Sequence, residues 1–415
     1  MDLLIQPFAG LRPAAGRADD VAAPPYDVLS TEEARVRADG RPLSFLHISK
    51  PEIDLPGDTD PYDAAVYAKG AENLQRMIDD GVLIRDDAPA YYVYRMTMDG
   101  HVQTGVVGAA PVAAYDENRV RKHEFTRPAQ EDDRVRQIDA VDAQTGPVLV
   151  VFKPEDRVGE LLAGIAAGVP TYDVQWGSEG GAGSAPNVRH TIWAVTDAGK
   201  VAELREAFAA LDLLYIADGH HRSAAASRVA AARPGDALAQ AFLIVAFPAD
   251  ELKILDYNRV VRVLGGLDAA GLLARVGEAF TVEKSDSEAK PAKPHEFGMY
   301  LDGAWYRLTT KSPPADDAPA LERLDVQVLS DLLLEPMLGI GDPRTDPRID
   351  FVGGIRGLGE LERRVDSGEM AAAFALYPTS IGDLMAVADA GEVMPPKSTW
   401  FEPKLADGLV SYPLR

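Results

Sequence analysis

The 415-residue chain contains no cysteine. That absence excludes disulfides, iron–sulfur clusters, thiolate zinc sites and cysteine nucleophiles. Basic charge is also scarce: 42 Lys and Arg stand against 65 Asp and Glu, a formal net charge of −23. Proteins that grip DNA or acidic lipid need a basic footprint, so neither nucleic acid nor a membrane surface is an expected partner. A nucleotide needs only a few local cations and stays open. No apolar run approaches the roughly 18 residues of a membrane span. The stretch Met1–Leu11 has no basic region or cleavage pattern. The expected location is the cytoplasm.

What is present is ordinary for a globular protein: 46% hydrophobic and 26% charged residues. Strand and helix patterns alternate, with hairpins interspersed, so the expected class is α+β (mixed α/β). Asp99-Gly100 separates two strand patterns over 90–98 and 102–112, and Asp302-Gly303 separates 297–301 from 305–309. Both are hairpin turns by composition. Ser30 with Glu33 reads as a capping box opening a helix. The apolar runs 148–152, 213–217 and 242–247 read as buried strands. Residues 119–139 read as a polar, charged stretch, and 177–187 as a Gly/Ser-rich hairpin tip or loop. We expect a single elaborated domain over 1–415, with a nucleotide-binding core within 110–260 and a C-terminal α/β portion over 320–415.

The sharpest motif is Asp218-Gly219-His220-His221-Arg222, between an apolar strand and an Ala-rich helix expected over 223–232. A glycine permits the turn and lets a ligand approach the backbone. The first turn of a helix offers unpaired amides and a dipole that favours an anion. Two histidines and an arginine at that end suggest a phosphate site; the bland alternative is Asp218 capping the helix with surface histidines. Adjacent histidines point different ways on a helix, which disfavours a metal held by that pair alone.

Three further clusters are candidates. Lys122-His123-Glu124-Phe125-Thr126, followed by Arg134, offers a histidine beside a carboxylate for general-base work, with Thr126 and Arg134 for phosphate or substrate. A solvated charged loop is the alternative. Lys397-Ser398-Thr399 resembles the end of a Walker A motif without its glycines. A rigid Pro-Pro turn presenting a lysine and two hydroxyls suits a phosphate, and a packed C-terminal strand is the alternative. Asn258 and Arg259 are candidates for substrate contacts or for structural hydrogen bonds.

The Asp218–Arg222 turn resembles the nucleotide-binding signature of the ParB/sulfiredoxin superfamily, and most closely the Asp-Gly-His-His-Arg of its free-serine kinases. The wider pattern is similar to a large bacterial and archaeal family known as a domain of unknown function. It is carried by Pro24–Val28, Lys122–Thr126, Asp218–Arg222, Tyr257–Arg259 and Pro396–Thr399. The resemblance implies a ParB/sulfiredoxin-like core with large additions, which are candidates for a lid or a homodimer surface. It implies ATP or ADP with Mg²⁺, and a kinase that phosphorylates a free small molecule, L-serine first. Asp218, Gly219, His220, His221 and Arg222 would hold the nucleotide phosphates. Glu124 would act as base, with His123 and Asp218 in supporting catalytic roles. A nucleotide switch or a nucleotide hydrolase remains the alternative. The missing cysteine excludes sulfiredoxin's own reaction.

Overall fold

The computed structural model describes residues 3–176 and 187–415. Of the expected hairpin tip 177–187, all but Asn187 lies outside the described residues. The chain forms two compact units, Met1–Leu252 with Pro403–Arg415, and Lys253–Glu402.

The first unit is built on an eight-stranded mixed sheet. Its order is Val120–Arg121, Leu214–Asp218, Val148–Phe152, Ala241–Pro248, His101–Pro111, Tyr91–Met98, Val188–Val195 and Tyr172–Trp176. Val120–Arg121 lies parallel to Leu214–Asp218, and Ala241–Pro248 parallel to Val148–Phe152; the other neighbours are antiparallel. Strands Val148–Phe152 and Ala241–Pro248 are buried at every position, which removes any polar alternation. Asp99 and Gly100, at φ 50° and 81°, make the expected left-handed hairpin turn. Ser30 and Glu33 form the expected capping box.

Within the stretch expected to be polar and charged, a helix spans Pro128–Val141. Pro128 begins it at a position where a missing N–H costs nothing. Its inward face holds Gln137, Ile138 and Val141, so one of the three buried positions is polar and the period is masked.

The second unit holds an antiparallel six-stranded sheet. Its order is Phe280–Ser285, Ala304–Thr310, Glu296–Leu301, Ala372–Leu376, Tyr257–Val261 and Ile349–Gly353. Strand Phe280–Ser285 follows directly on the helix Ala269–Ala279. Two short strands run in succession, Lys253–Leu255, which pairs with Trp400–Glu402, and Tyr257–Val261. The fold class is α+β in both units, as expected. Among the described residues, no helix is long and apolar enough to cross a membrane.

Candidate functional site

The strand Leu214–Asp218 ends in a bulge, where its register against Val148–Phe152 slips between Ile216 and Asp218. A bulge re-aims the side chain beyond it. Gly219 follows at φ 98°. A Cβ there would stand 3.1 Å from Arg222 Nε and 3.3 Å from Val148 Cα, so backbone angle and crowding both call for glycine. The helix His220–Ala232 begins at once, three residues earlier than expected, and Gly219 rather than Asp218 is its N-cap.

The first-turn side chains diverge. His220 packs edge-on against His123, ring centroids 4.5 Å apart, with its Nδ1 3.7 Å from Glu124 Oε2. His221 Nε2 accepts the Arg127 amide at 3.0 Å. Arg222 turns inward and donates to the Pro147 carbonyl.

Charge at this turn is already balanced. Lys404 Nζ lies 3.0 Å from Asp218 Oδ2. Arg222 lies 3.9 Å from Asp218 and 3.6 Å from Asp27. Burial pushes the Asp218 carboxyl up, but Lys404 and Arg222 prevail and hold it well below the usual carboxylate range. Burial lowers the His123 imidazole to about 4 and His220 well below its ordinary value. Both rings are therefore neutral at pH 7, and the fixed positive charge belongs to Arg222 and Lys404.

Beneath the turn lies a cavity of about 30 Å³ lined by Tyr26, Ser49, Arg134, Gly146, Arg222 and Asp407. That is room for about two waters. The Asp407 carboxyl is 1% exposed, and Ser49 Oγ has no hydrogen-bond partner among the described residues. Burial raises Asp407 to about 7 against the opposing pull of Arg222 and Arg134. A second hollow of about 260 Å³ shares Tyr26, Ser49 and Arg134 with it and adds Asp27, Lys50 and Glu52. Arg134 covers the Tyr26 ring at 3.9 Å and pairs with Asp133 at 2.5 Å. Thr126 donates to Glu131. Thus the first unit gathers His123, Glu124, Asp218 and the turn. It also adds Lys404, Asp27 and Asp407, which sequence reasoning did not place in a site.

Asn258, Arg259, Lys397, Ser398 and Thr399 belong to the second unit. Asn258 bridges two strands, donating to Asp256 at 2.5 Å and accepting the Leu376 amide at 3.0 Å. Arg259 is 3% exposed and donates to the Tyr257 and Pro396 carbonyls. Burial lowers its guanidinium to about 10. Lys397 is exposed at φ 57°, its Nζ 5.8 Å from the Tyr257 ring centroid. Ser398 Oγ donates to the Pro395 carbonyl at 2.6 Å, closing its own turn. Thr399 is half-buried.

A family model described as "Protein of unknown function (DUF1015)" matches residues 5–327, and the chain belongs to that family. No curated protein matches its sequence. Among solved structures, a conserved hypothetical protein from Pyrococcus furiosus is similar at 15% identity and TM-score 0.35, over 72% of this chain and 93% of that one. A free serine kinase in complex with AMP is similar at 13% identity and TM-score 0.33, over 71% and 86%. SbnI with a C-terminal truncation from Staphylococcus aureus is similar at 12% identity and TM-score 0.37, over 72% and 85%.

Proposed function

We propose that this protein is a nucleotide-dependent kinase that phosphorylates the hydroxyl of a free small molecule, with L-serine as the first candidate. The supporting observation is the pairing of a half-exposed carboxylate, Glu124, with the buried neutral His220 at the start of a helix. An anion-favouring helix end and a proton acceptor stand side by side. The nucleotide phosphates lie over Gly219–Arg222, with Arg222 and Lys404 as the nearby cations. Glu124 takes the proton from the acceptor hydroxyl as its oxygen bonds the terminal phosphorus. The bond from that phosphorus to the bridging oxygen breaks, and ADP leaves from ATP, or AMP from ADP. Positioning and electrostatics carry most of such a transfer.

The resemblance implies Mg²⁺, a hard ion that prefers oxygen ligands. Among the described residues, the three-residue cluster able to hold a metal is His123, Glu124 and His220, with two nitrogens and one carboxylate. Asp218 is engaged by Lys404. These residues do not fit Mg²⁺, and no step here runs through it.

The direct test supplies purified protein with ATP or ADP, Mg²⁺ and L-serine, and looks for O-phospho-L-serine by mass spectrometry. Product is expected, and Glu124→Gln should reduce its rate at least ~100-fold. No product with serine or any other hydroxy amino acid would overturn the kinase reading. Nucleotide-dependent stabilisation without product would instead favour the switch, and phosphate release independent of serine the hydrolase.

A further inference from the structure

The cluster that fails to suit Mg²⁺ has a coherent chemistry of its own. The metal-binding atoms of His123, Glu124 and His220 lie within 4.8 Å of one another. His123 and His220 are 2% and 4% exposed, while the Glu124 side chain is 47% exposed. Each residue sits on a defined element: His123 and Glu124 directly after the short edge strand, His220 at the head of the helix.

The decisive detail is His123 Nδ1. It is buried and has no hydrogen-bond partner among the described residues. The ring bonds the Ile216 carbonyl, and with Nδ1 unpartnered, that bond falls to Nε2–H. The carbonyl therefore fixes the tautomer and leaves the Nδ1 lone pair aimed inward. Metal-bound histidines are oriented in the same way, by a carbonyl on the far nitrogen. A buried polar atom with nothing to bond carries a desolvation cost and calls for an occupant. Burial also keeps both rings neutral at pH 7. His220 Nε2 accepts the His123 amide at 3.5 Å, so its ring proton sits on Nδ1 and must move to Nε2 for Nδ1 to take an ion.

We propose that His123, His220 and Glu124 bind a divalent first-row transition-metal ion of the Zn²⁺ or Co²⁺ class. Two imidazoles and one carboxylate are the donor set such ions favour, with positions left open for solvent or ligand. Metal bonds of about 2.1 Å require ligand atoms roughly 3–3.5 Å apart. The half-exposed Glu124 side chain can swing to close the difference while the packed rings stay in place. A carboxylate bound to the ion no longer accepts a proton. Where the kinase reading holds, on which this one clause rests, the metal-loaded protein is therefore the silent form.

Binding is read without turnover. The full chain is dialysed against Zn²⁺ and then metal-free buffer, and retained metal is counted; in parallel, Co²⁺ is titrated and its visible absorption followed. One equivalent per chain and a Co²⁺ band of low-symmetry nitrogen coordination are expected. His123→Gln and Glu124→Gln should each weaken binding at least tenfold, whereas His101→Ala should not. Glu124→Gln is half-exposed and leaves the packed rings untouched, so it decides the matter if the His123 variant fails to fold. No stoichiometric metal, or equal binding by Glu124→Gln, would overturn the site. If serine is phosphorylated, one equivalent of Zn²⁺ should suppress turnover and a chelator restore it. Unchanged turnover would overturn the silencing clause. A failure of the kinase reading leaves the dialysis result standing.

Discussion

The turn Asp218–Arg222 in the first unit and the patch around Arg259 and Lys397 in the second both bring cations to an irregular backbone, but they treat the charge in opposite ways. At the turn, Arg222 and Lys404 each face a carboxylate within 4 Å. In the patch, Arg259 is buried against backbone carbonyls and the Phe351 ring, and its guanidinium falls to about 10. An incoming phosphate at the turn must exchange partners with carboxylates already there. In the patch it would meet positive charge that only dipoles now compensate. The turn, by contrast, also gathers two buried imidazoles and the Glu124 carboxylate. Cation count alone therefore does not tell the two regions apart: what differs is whether carboxylates or dipoles compensate the charge.

The comparison breaks most visibly on removing each arginine. Arg222→Met strands Asp27, Asp218 and Asp407 near one another with one cation fewer. Breaking a buried pair from one side costs about 3 kcal/mol or more, and urea unfolding should show it. Arg259→Met leaves no carboxylate behind and replaces a poorly solvated charge with a matching apolar stem, so its effect should stay within about 1 kcal/mol. Equal losses would show that the patch is as tightly balanced as the turn.

Parts of this contrast were legible in the sequence and parts were not. The strand-turn-helix around Gly219 announces itself because strand period, glycine and helix former are adjacent. The Asp-Gly hairpins and the Ser30–Glu33 box do so for the same reason: their physics is local. The Lys404–Asp218 pair is not readable, since 186 residues separate its members. Nor is the raised proton affinity of Asp407, which burial creates. The helix Pro128–Val141 escaped because Gln137 and Arg134 take inward positions where a period search expects apolar residues. The burial of Arg259, one residue along a strand from Asn258, has no local signature at all.

Asp407 sharpens the picture, being the carboxylate at the turn that is almost wholly buried. Its folded value of about 7 lies above the unfolded value of about 3.9. The native state therefore holds the proton more tightly than the unfolded chain. That stability is complete below about pH 4 and is lost as pH rises through 7, by an amount on the order of a few kcal/mol. Asp218 has the opposite sign: its depressed value lends stability above about pH 4 that disappears in stronger acid. Asp407→Asn should be more stable than the parent at pH 8, with the gap closing towards pH 5. Part of the decline must survive, because burial also raises Asp325 in the second unit to about 7. A gap that stays constant with pH would show that Asp407 is ionised throughout and already compensated.

The smallest expected effect concerns the backbone. Both regions contain a left-handed residue, but the turn uses Gly219 and the patch uses Lys397, at φ 98° and 57°. A side chain in that conformation costs about 1 kcal/mol relative to glycine. Gly219→Ala incurs that cost and adds the contacts at 3.1 and 3.3 Å, so its melting temperature should fall clearly. Lys397→Gly relieves the conformation but gives up the ammonium above the Tyr257 ring, worth about 0.5–1 kcal/mol where exposed. The two terms nearly cancel, and Tm should barely move. If the strain is maintained to aim Lys397 at an anion, Lys397→Gly should weaken nucleotide binding, measured by fluorescence titration, without lowering Tm. A fall in Tm as large as that of Gly219→Ala would assign the lysine to the fold, and unchanged affinity would remove it from any phosphate site.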